Sequence, residues 1–464
     1  SGLFHIGVYF NDNDIISLAL NRLEQETDLQ IMSDGFQWEQ SNNYHNEVLL
    51  VLLDDIIDAD KNRIQFPDSL KSKIEKMAEA ALKTVKPNGH NPLFGDSDDT
   101  DIRDIMSRCA MVFGRSDFKY YGFDRLDFNT VWLTGYDSIE KYNKIDKTPP
   151  SFNNTFLEDS GNYILRENQT NASNYLLFHS GYTGAGHAHA DKLHFDLMIK
   201  GRDVLVDAGR YTYLNNAQRR YIKSPKAHNV CLIDNKQYLN VSSQWETKNP
   251  APAVQYPCFD NEYCTLIGGA HLGYLKLRNA FVERKILYIK PDIYVIVDVF
   301  KAKGFHTYQQ YFHFAPTGKT TISAKNAQFD DGIVKANMHF VTPNAKIKKE
   351  NSIYSSNYNA ICKNDCIKSS FFALGNTSAI TVIYGNTAKN FVPYDVSFEQ
   401  IKTARSEKML NASKAAGVVI KTPKKEYTIC LAFKELKEPF GCNNKIGSGT
   451  ISVFENDKLI FTKW

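Results

Sequence analysis

Apolar positions recur at helical spacing through the first 145 residues and at a period of two beyond about residue 160. Asn13 or Asp14 is placed to cap a helix with Ile15, Leu18, Ala19 and Leu23 on one face. Ser41 or Asn42 is placed to cap the next, which runs through Val48-Leu49-Leu50-Val51-Leu52-Leu53. An apolar run on all sides predicts a helix buried between others, as in a toroid or a bundle. Pro67-Asp68 opens a third helix with Leu70, Ile74, Met77 and Ala81 on one face, and Pro87-Asn88-Gly89 stops it. Residues 146–160, which contain Pro149-Pro150, read as a linker. Beyond it Leu193, Phe195, Leu197 and Ile199 alternate with Lys192, His194, Asp196 and Lys200, which predicts a half-buried strand. Lys285 to Phe300 reads as a hairpin turning at Lys290-Pro291-Asp292, and short strands continue to Trp464. Helices first and strands afterwards predict an α+β multidomain chain: a helical domain over 1–145 and stacked antiparallel sheets over 161–464.

Composition narrows the class. At 464 residues, 42% hydrophobic and 23% charged, the chain is long enough for two or three domains with sizeable cores. A net charge of +3 demands neither nucleic acid nor an anionic membrane, although a local basic groove remains compatible with an acidic polymer. The eight cysteines are irregularly spaced and read mostly as free or buried thiols. No signal peptide or membrane-spanning run is visible. The opening SGLFHIGVYF reads as the middle of a helix, so we expect a fragment or processed form of a longer chain.

The chemistry concentrates between His179 and Asn229. In His187-Ala188-His189, extended backbone would point both imidazoles to one side. With Asp207 and His228 they offer donors suited to a Zn²⁺-like ion, whereas any lone histidine is more often a hydrogen-bonded structural residue. A turn at Gly201-Arg202 would pair Asp207 with about residue 196. The HAHAD segment must then curl back, or Asp191 replaces Asp207 as the ligand. Upstream, DGFQWEQSNNYH brings Tyr44, His45 and Trp38 to the start of the buried helix. Phe94 to Asp101 is acidic, but Asp101 and Ser107 stand where an EF-hand needs glycine and glutamate. Helix capping by Asp98 or Asp99 is the expected role.

GHAHADKLHFDLMIKGRDVLVDAG followed by RRYIKSPKAHNV, with DGFQWEQSNNYH and FGDSDD upstream, resembles the heparinase II/III family of polysaccharide lyases over most of the chain. The resemblance implies an N-terminal α/α toroid, incomplete in this chain, followed by an antiparallel β-sandwich. It implies β-elimination on a uronic-acid-containing glycan such as heparan sulfate, with Tyr44 as acid or as acid and base, and His187 as base. Tyr221 matches the family's tyrosine-containing loop, with Tyr213 competing. Asn43, His45, Trp38, Arg219 and Arg220 are the expected substrate contacts. By the same resemblance His189, Asp207 and His228 are the expected ligands of a divalent metal, Zn²⁺, in a structural rather than catalytic role. The group that neutralises the substrate carboxylate falls before residue 1, unless Asn42 or Asn43 substitutes. The expected partner is an acidic polysaccharide, without nucleic acid or membrane insertion, and the expected location is periplasmic or secreted in a bacterium. The rival readings are a metal-dependent glycan hydrolase and a non-catalytic acidic-glycan-binding protein.

Overall fold

The computed structural model describes residues 1–248 and 251–463. Eight helices lie between Gly2 and Lys144, the first five being α1 (Gly2–Phe10), α2 (Asn13–Gln30), α3 (Asn42–Asn62), α4 (Asp68–Thr84) and α5 (Arg103–Phe113). Leu49, Leu52, Leu53 and Ile56 of α3 meet Leu70, Ile74 and Met77 of α4 and Met106 and Cys109 of α5 in one apolar cluster. Two local expectations change. The cap of α2 is Asp12, whose carboxylate accepts from the backbone N–H groups of Asp14 and Ile15 at 3.0 and 3.1 Å, and the buried stripe is Ile16 and Ala19 while Leu18 faces outward. In α3, Val51 is exposed, so the helix has a solvent side.

The strands begin inside the expected linker. They are β1 (Thr155–Leu157), β2 (Asn162–Arg166), β3 (Tyr175–His179), β4 (Phe195–Ile199) and β5 (Arg202–Leu205), joined antiparallel in that order. Phe195, Leu197 and Ile199 point into the main β core. On the other face Ile164, Tyr175, Leu177 and Met198 pack against Phe36 and Ala80 of the helical part. Both faces are therefore covered, and the half-buried strand is a correction: Lys192, His194 and Asp196 are buried too. A nine-stranded sheet forms the next layer around the hairpin Phe281–Ile289 and Ile293–Lys301. Its Ile286, Tyr288, Tyr294 and Ile296 belong to the main core, while Leu287, Val295 and Val297 meet Val418, Ile420 and Ile429 of a C-terminal five-stranded sheet. The architecture is α+β, a helical α/α layer followed by stacked antiparallel sheets. Strands reach Lys463; the expectation for Trp464 lies outside the described residues. The cysteines are all free thiols, six of them buried. Among the described residues no helix is long and apolar enough to cross a membrane.

Candidate active site

The site is built where the first turn of α3 meets the irregular segment between β3 and β4. Asp34 fixes the approach: one carboxylate oxygen accepts from the N–H of Phe36 at 3.0 Å and the other from that of Ser160 at 2.7 Å. Ser41 stands at the cap of α3, yet its hydroxyl donates to the Asp96 carbonyl at 2.9 Å instead of closing the helix. Tyr44 follows on the first turn. Its hydroxyl is 2.6 Å from that of Tyr213, and its ring lies parallel to the His187 imidazole with centroids 3.5 Å apart. The Glu39 carboxylate holds Nδ1 of His187. A carboxylate only accepts, so Nδ1 donates to it, and Nε2 is the nitrogen left to accept.

Arg210 completes the polar wall. Its guanidinium donates to the Tyr213 hydroxyl at 3.3 Å and grips Asp98 through Nε at 2.8 Å and Nη2 at 2.5 Å. Trp245 stacks on Tyr213 at 4.5 Å and meets His187 edge-on at 5.5 Å. Burial and the nearby Asp96 charge push the Tyr213 phenol well above its ordinary pKa, so it is held as a neutral hydroxyl. Trp38, Tyr182, Trp245 and Tyr358 remain between 41% and 44% exposed, offering ring faces of the kind on which sugars stack.

Beneath this wall sits a second cluster. His189, Asp207 and His228 are fully buried, each presenting one ligand atom, and these atoms lie within 4.8 Å of one another. Nε2 of His189 donates to Asp96 at 2.7 Å, and Nδ1 of His228 donates to Asp207 at 2.8 Å. Among the described residues Nδ1 of His189 and Nε2 of His228 have no hydrogen-bond partner. Two imidazoles and a carboxylate brought this close, each imidazole keeping one unpartnered nitrogen, fit a divalent ion of the zinc class. Asp191 stands outside this group, its carboxyl pushed up by burial.

The structure redistributes several expected roles. His187 and His189 do not share one site: residues 180–194 form no strand, so one imidazole faces Tyr44 and the other points inward. Tyr221 is not in the tyrosine cluster; its hydroxyl pairs with Ser352 at 2.9 Å and burial pushes it up to about 12. Tyr213 takes the position beside Tyr44. His45 is buried rather than substrate-facing, with Nδ1 accepting from the N–H of Gln37 at 3.2 Å and Nε2 donating to the Met77 carbonyl at 3.0 Å. Burial lowers it to about 4. Arg219 is fully buried, spending its fork on Asp96 at 2.5 and 2.7 Å. Arg220 donates to Asn215 at the exposed surface. Asn43 is half-buried, while Asn42 is buried beneath it. Asp98 and Asp99 cap no helix: the first holds Arg210, the second Lys86 at 3.1 Å.

Sequence reasoning left Glu39, Asp96, Arg210 and Trp245 without roles. Glu39 was the most readable, since it is the glutamate of the DGFQWE stretch. Trp245 and Arg210 carry no local signal, because contacts distant in sequence place them.

Residues 2–120 match the heparinase II/III N-terminal family and residues 149–383 the heparinase II/III-like C-terminal family. A heparin-sulfate lyase of Pedobacter heparinus is 26% identical over 258 residues, covering 52% of this chain and 36% of that protein. One from Bacteroides thetaiotaomicron is 24% identical over 300 residues, covering 60% and 39%. The matched stretches thus cover well under half the length of these relatives. The crystal structure of heparan sulfate lyase HepC from Pedobacter heparinus superposes with a TM-score of 0.75 at 18% identity, over 93% of this chain and 65% of that one. A crystal structure of heparinase III gives 0.73 at 16% identity, over 91% and 64%. These likenesses place the helical part as an α/α toroid and the remainder as a β-sandwich. With matches on both sides of the junction that builds the site, this chain belongs to the heparinase II/III family.

Proposed function

We propose that this chain carries the active site of a polysaccharide lyase that cleaves a uronic-acid-containing glycan by β-elimination. The observation that carries the reading is the stacked pair of Tyr44 and His187, with Tyr213 on the phenol and Glu39 on the imidazole. The bare Nε2 of His187 removes the proton at C5 of the uronate. The electron pair left behind forms the C4–C5 double bond, and the C4–O bond to the departing sugar breaks. Tyr44 delivers its proton to that oxygen, and the hydrogen bond from Tyr213 stabilises the phenolate left behind. Solvent exchange then returns a proton to Tyr44 and takes one from His187. Asn43, accessible at the first turn of α3, is the candidate to meet the substrate carboxylate, and Trp38 and Trp245 offer stacking faces.

His189, Asp207 and His228 would hold a divalent ion, Zn²⁺ in our reading, whose charge would bind the buried loops together. Their complete burial favours a structural role and weighs against the rival hydrolase reading, which needs a metal-bound water to reach substrate. Relatives named heparin-sulfate lyases make heparan sulfate the first substrate to try.

The test is ultraviolet absorbance during incubation with a panel of uronic-acid polysaccharides. The unsaturated uronate absorbs where the polymers do not. We expect a rise with wild type that Tyr44→Phe lowers by about 100-fold or more. Cleavage without a new absorbance would replace the lyase by a hydrolase.

A further inference from the structure

We propose that Asp96 is the positioning residue of this site, one carboxylate of the toroid loop that sets the orientation of His189 and Arg219 in the sandwich. Its backbone N–H and its carboxylate are engaged across the junction, and its carbonyl is held within the helical part. Its N–H donates to the His187 carbonyl at 2.9 Å, and its own carbonyl accepts from the Ser41 hydroxyl at 2.9 Å. Its carboxylate accepts from Nε2 of His189 at 2.7 Å and from both Nη atoms of Arg219 at 2.5 and 2.7 Å. Asp96, His189 and Arg219 are all fully buried.

The consequence for His189 follows from donor arithmetic. An ionised carboxylate cannot donate, so the imidazole must carry its proton on Nε2. The neutral ring then leaves Nδ1 bare, and Nδ1 is the buried nitrogen of His189 that has no hydrogen-bond partner among the described residues. Asp96 therefore selects the tautomer able to ligate. The same carboxylate holds Arg219, which in turn donates to the Arg210 carbonyl at 3.0 Å and lies over the Tyr213 ring at 5.2 Å. One residue thus ties the depth of the site to its catalytic wall. The sandwich brings the donors, and the toroid loop decides their orientation.

The metal part of this inference rests on the Zn²⁺ reading above, whereas the tautomer part does not. We would record nitrogen–proton multiple-bond correlations on metal-free protein labelled with ¹⁵N-histidine, for wild type and Asp96→Asn. His189 is expected as the Nε2–H tautomer in wild type and as a mixture in the variant. An Nδ1–H form in wild type overturns the proposal, whether or not the variant folds. In parallel, Zn²⁺ affinity is measured by competition with a chromogenic chelator. Asp96→Asn is expected to bind about 10- to 100-fold more weakly. Asp99→Asn, in the same loop but facing Lys86, should stay within about twofold. If Asp96→Asn keeps wild-type affinity while His228→Ala loses it, the positioning role falls and the metal reading stands. If wild type binds no Zn²⁺, the metal reading falls and the tautomer alone decides Asp96.

Discussion

Tyr213 and Tyr221 carry the same phenol, but their hydroxyl partners separate them. Tyr213 meets Tyr44 and Arg210, so removing its hydroxyl leaves the Tyr44 oxygen with one donor fewer at the moment it gains charge. Tyr213→Phe should lower kcat by about 10- to 100-fold with little change in KM. Tyr221→Phe should leave turnover within about twofold and cost about 1 kcal/mol of stability for its lost hydrogen bond to Ser352. Steady-state kinetics and a urea titration on both variants check this, and a Tyr221→Phe enzyme as crippled as Tyr213→Phe would sink the assignment. The local pattern gave no way to choose between them, because both lie in one short polar and aromatic stretch. The helix Ala217–Ile222 turns Tyr221 toward Ser352, a partner 131 positions away. The same helix buries Arg219 and exposes Arg220, so adjacent arginines differ through a register that only the folded chain sets. The place of Tyr44 in the first turn of α3, by contrast, was legible, since it directly precedes an unmistakable apolar run.

At the scale of elements, the α3 and α4 helices and the Lys285–Phe300 hairpin follow from local periodicity and turn residues alone. The segment between β3 and β4 does not. An i, i+2 pair shares a side only in extended backbone, and residues 180–194 are not extended. What shapes them is close approach rather than propensity. A Cβ added at Gly184 would stand 2.3 Å from the Glu39 carbonyl oxygen, so the loop lies directly against the backbone of the residue that holds His187. Gly184→Ala should push the two apart and break the Glu39–His187 contact. We expect kcat/KM to fall by about 10- to 100-fold, in keeping with the cost of displacing a catalytic group by about 1 Å. The thermal midpoint should change little, because the strain is relieved at an irregular loop. Full activity in Gly184→Ala would mean that the loop does not govern His187. The polar side of β4 was misjudged for a related reason: alternation reports that two faces differ, not that one of them is wet. Here Phe36 and Ala80 cover the neighbouring strands on that face, and Lys192, His194 and Asp196 are buried with them.

For the whole molecule, burying a helical layer against one sheet and a further sheet behind it leaves histidines far from water. Burial lowers His45 to about 4 and His271 to about 3, so both are neutral in the fold at pH 5. In the unfolded chain each titrates near its ordinary 6.5. Between these values the unfolded state binds more protons, so stability must fall as pH falls from about 6.5 toward 4. Each histidine contributes about 2 kcal/mol of that loss between pH 7 and pH 5. Asp99, lowered to about 2 after the cost of burial by His90 and Lys86, adds a loss of the same sign, but only at more acid pH. Buried carboxyls pushed upward, Asp292 among them, act in the opposite sense, so the total curve alone cannot assign the effect. The difference between proteins can. His45→Gln keeps an amide able to donate to the Met77 carbonyl and removes the titrating ring. Its stability at pH 7 should be lower than that of wild type through lost packing on Phe36, which stacks on the ring at 4.8 Å. Its further loss on acidification to pH 5 should nevertheless be smaller by about 2 kcal/mol. Urea unfolding of both proteins at pH 7, 6 and 5 measures this directly. Converging curves would identify His45 as a proton-sensitive structural post between Gln37 and Met77. Parallel curves would show that His45 takes up its proton equally in both states and would overturn this reading of its burial.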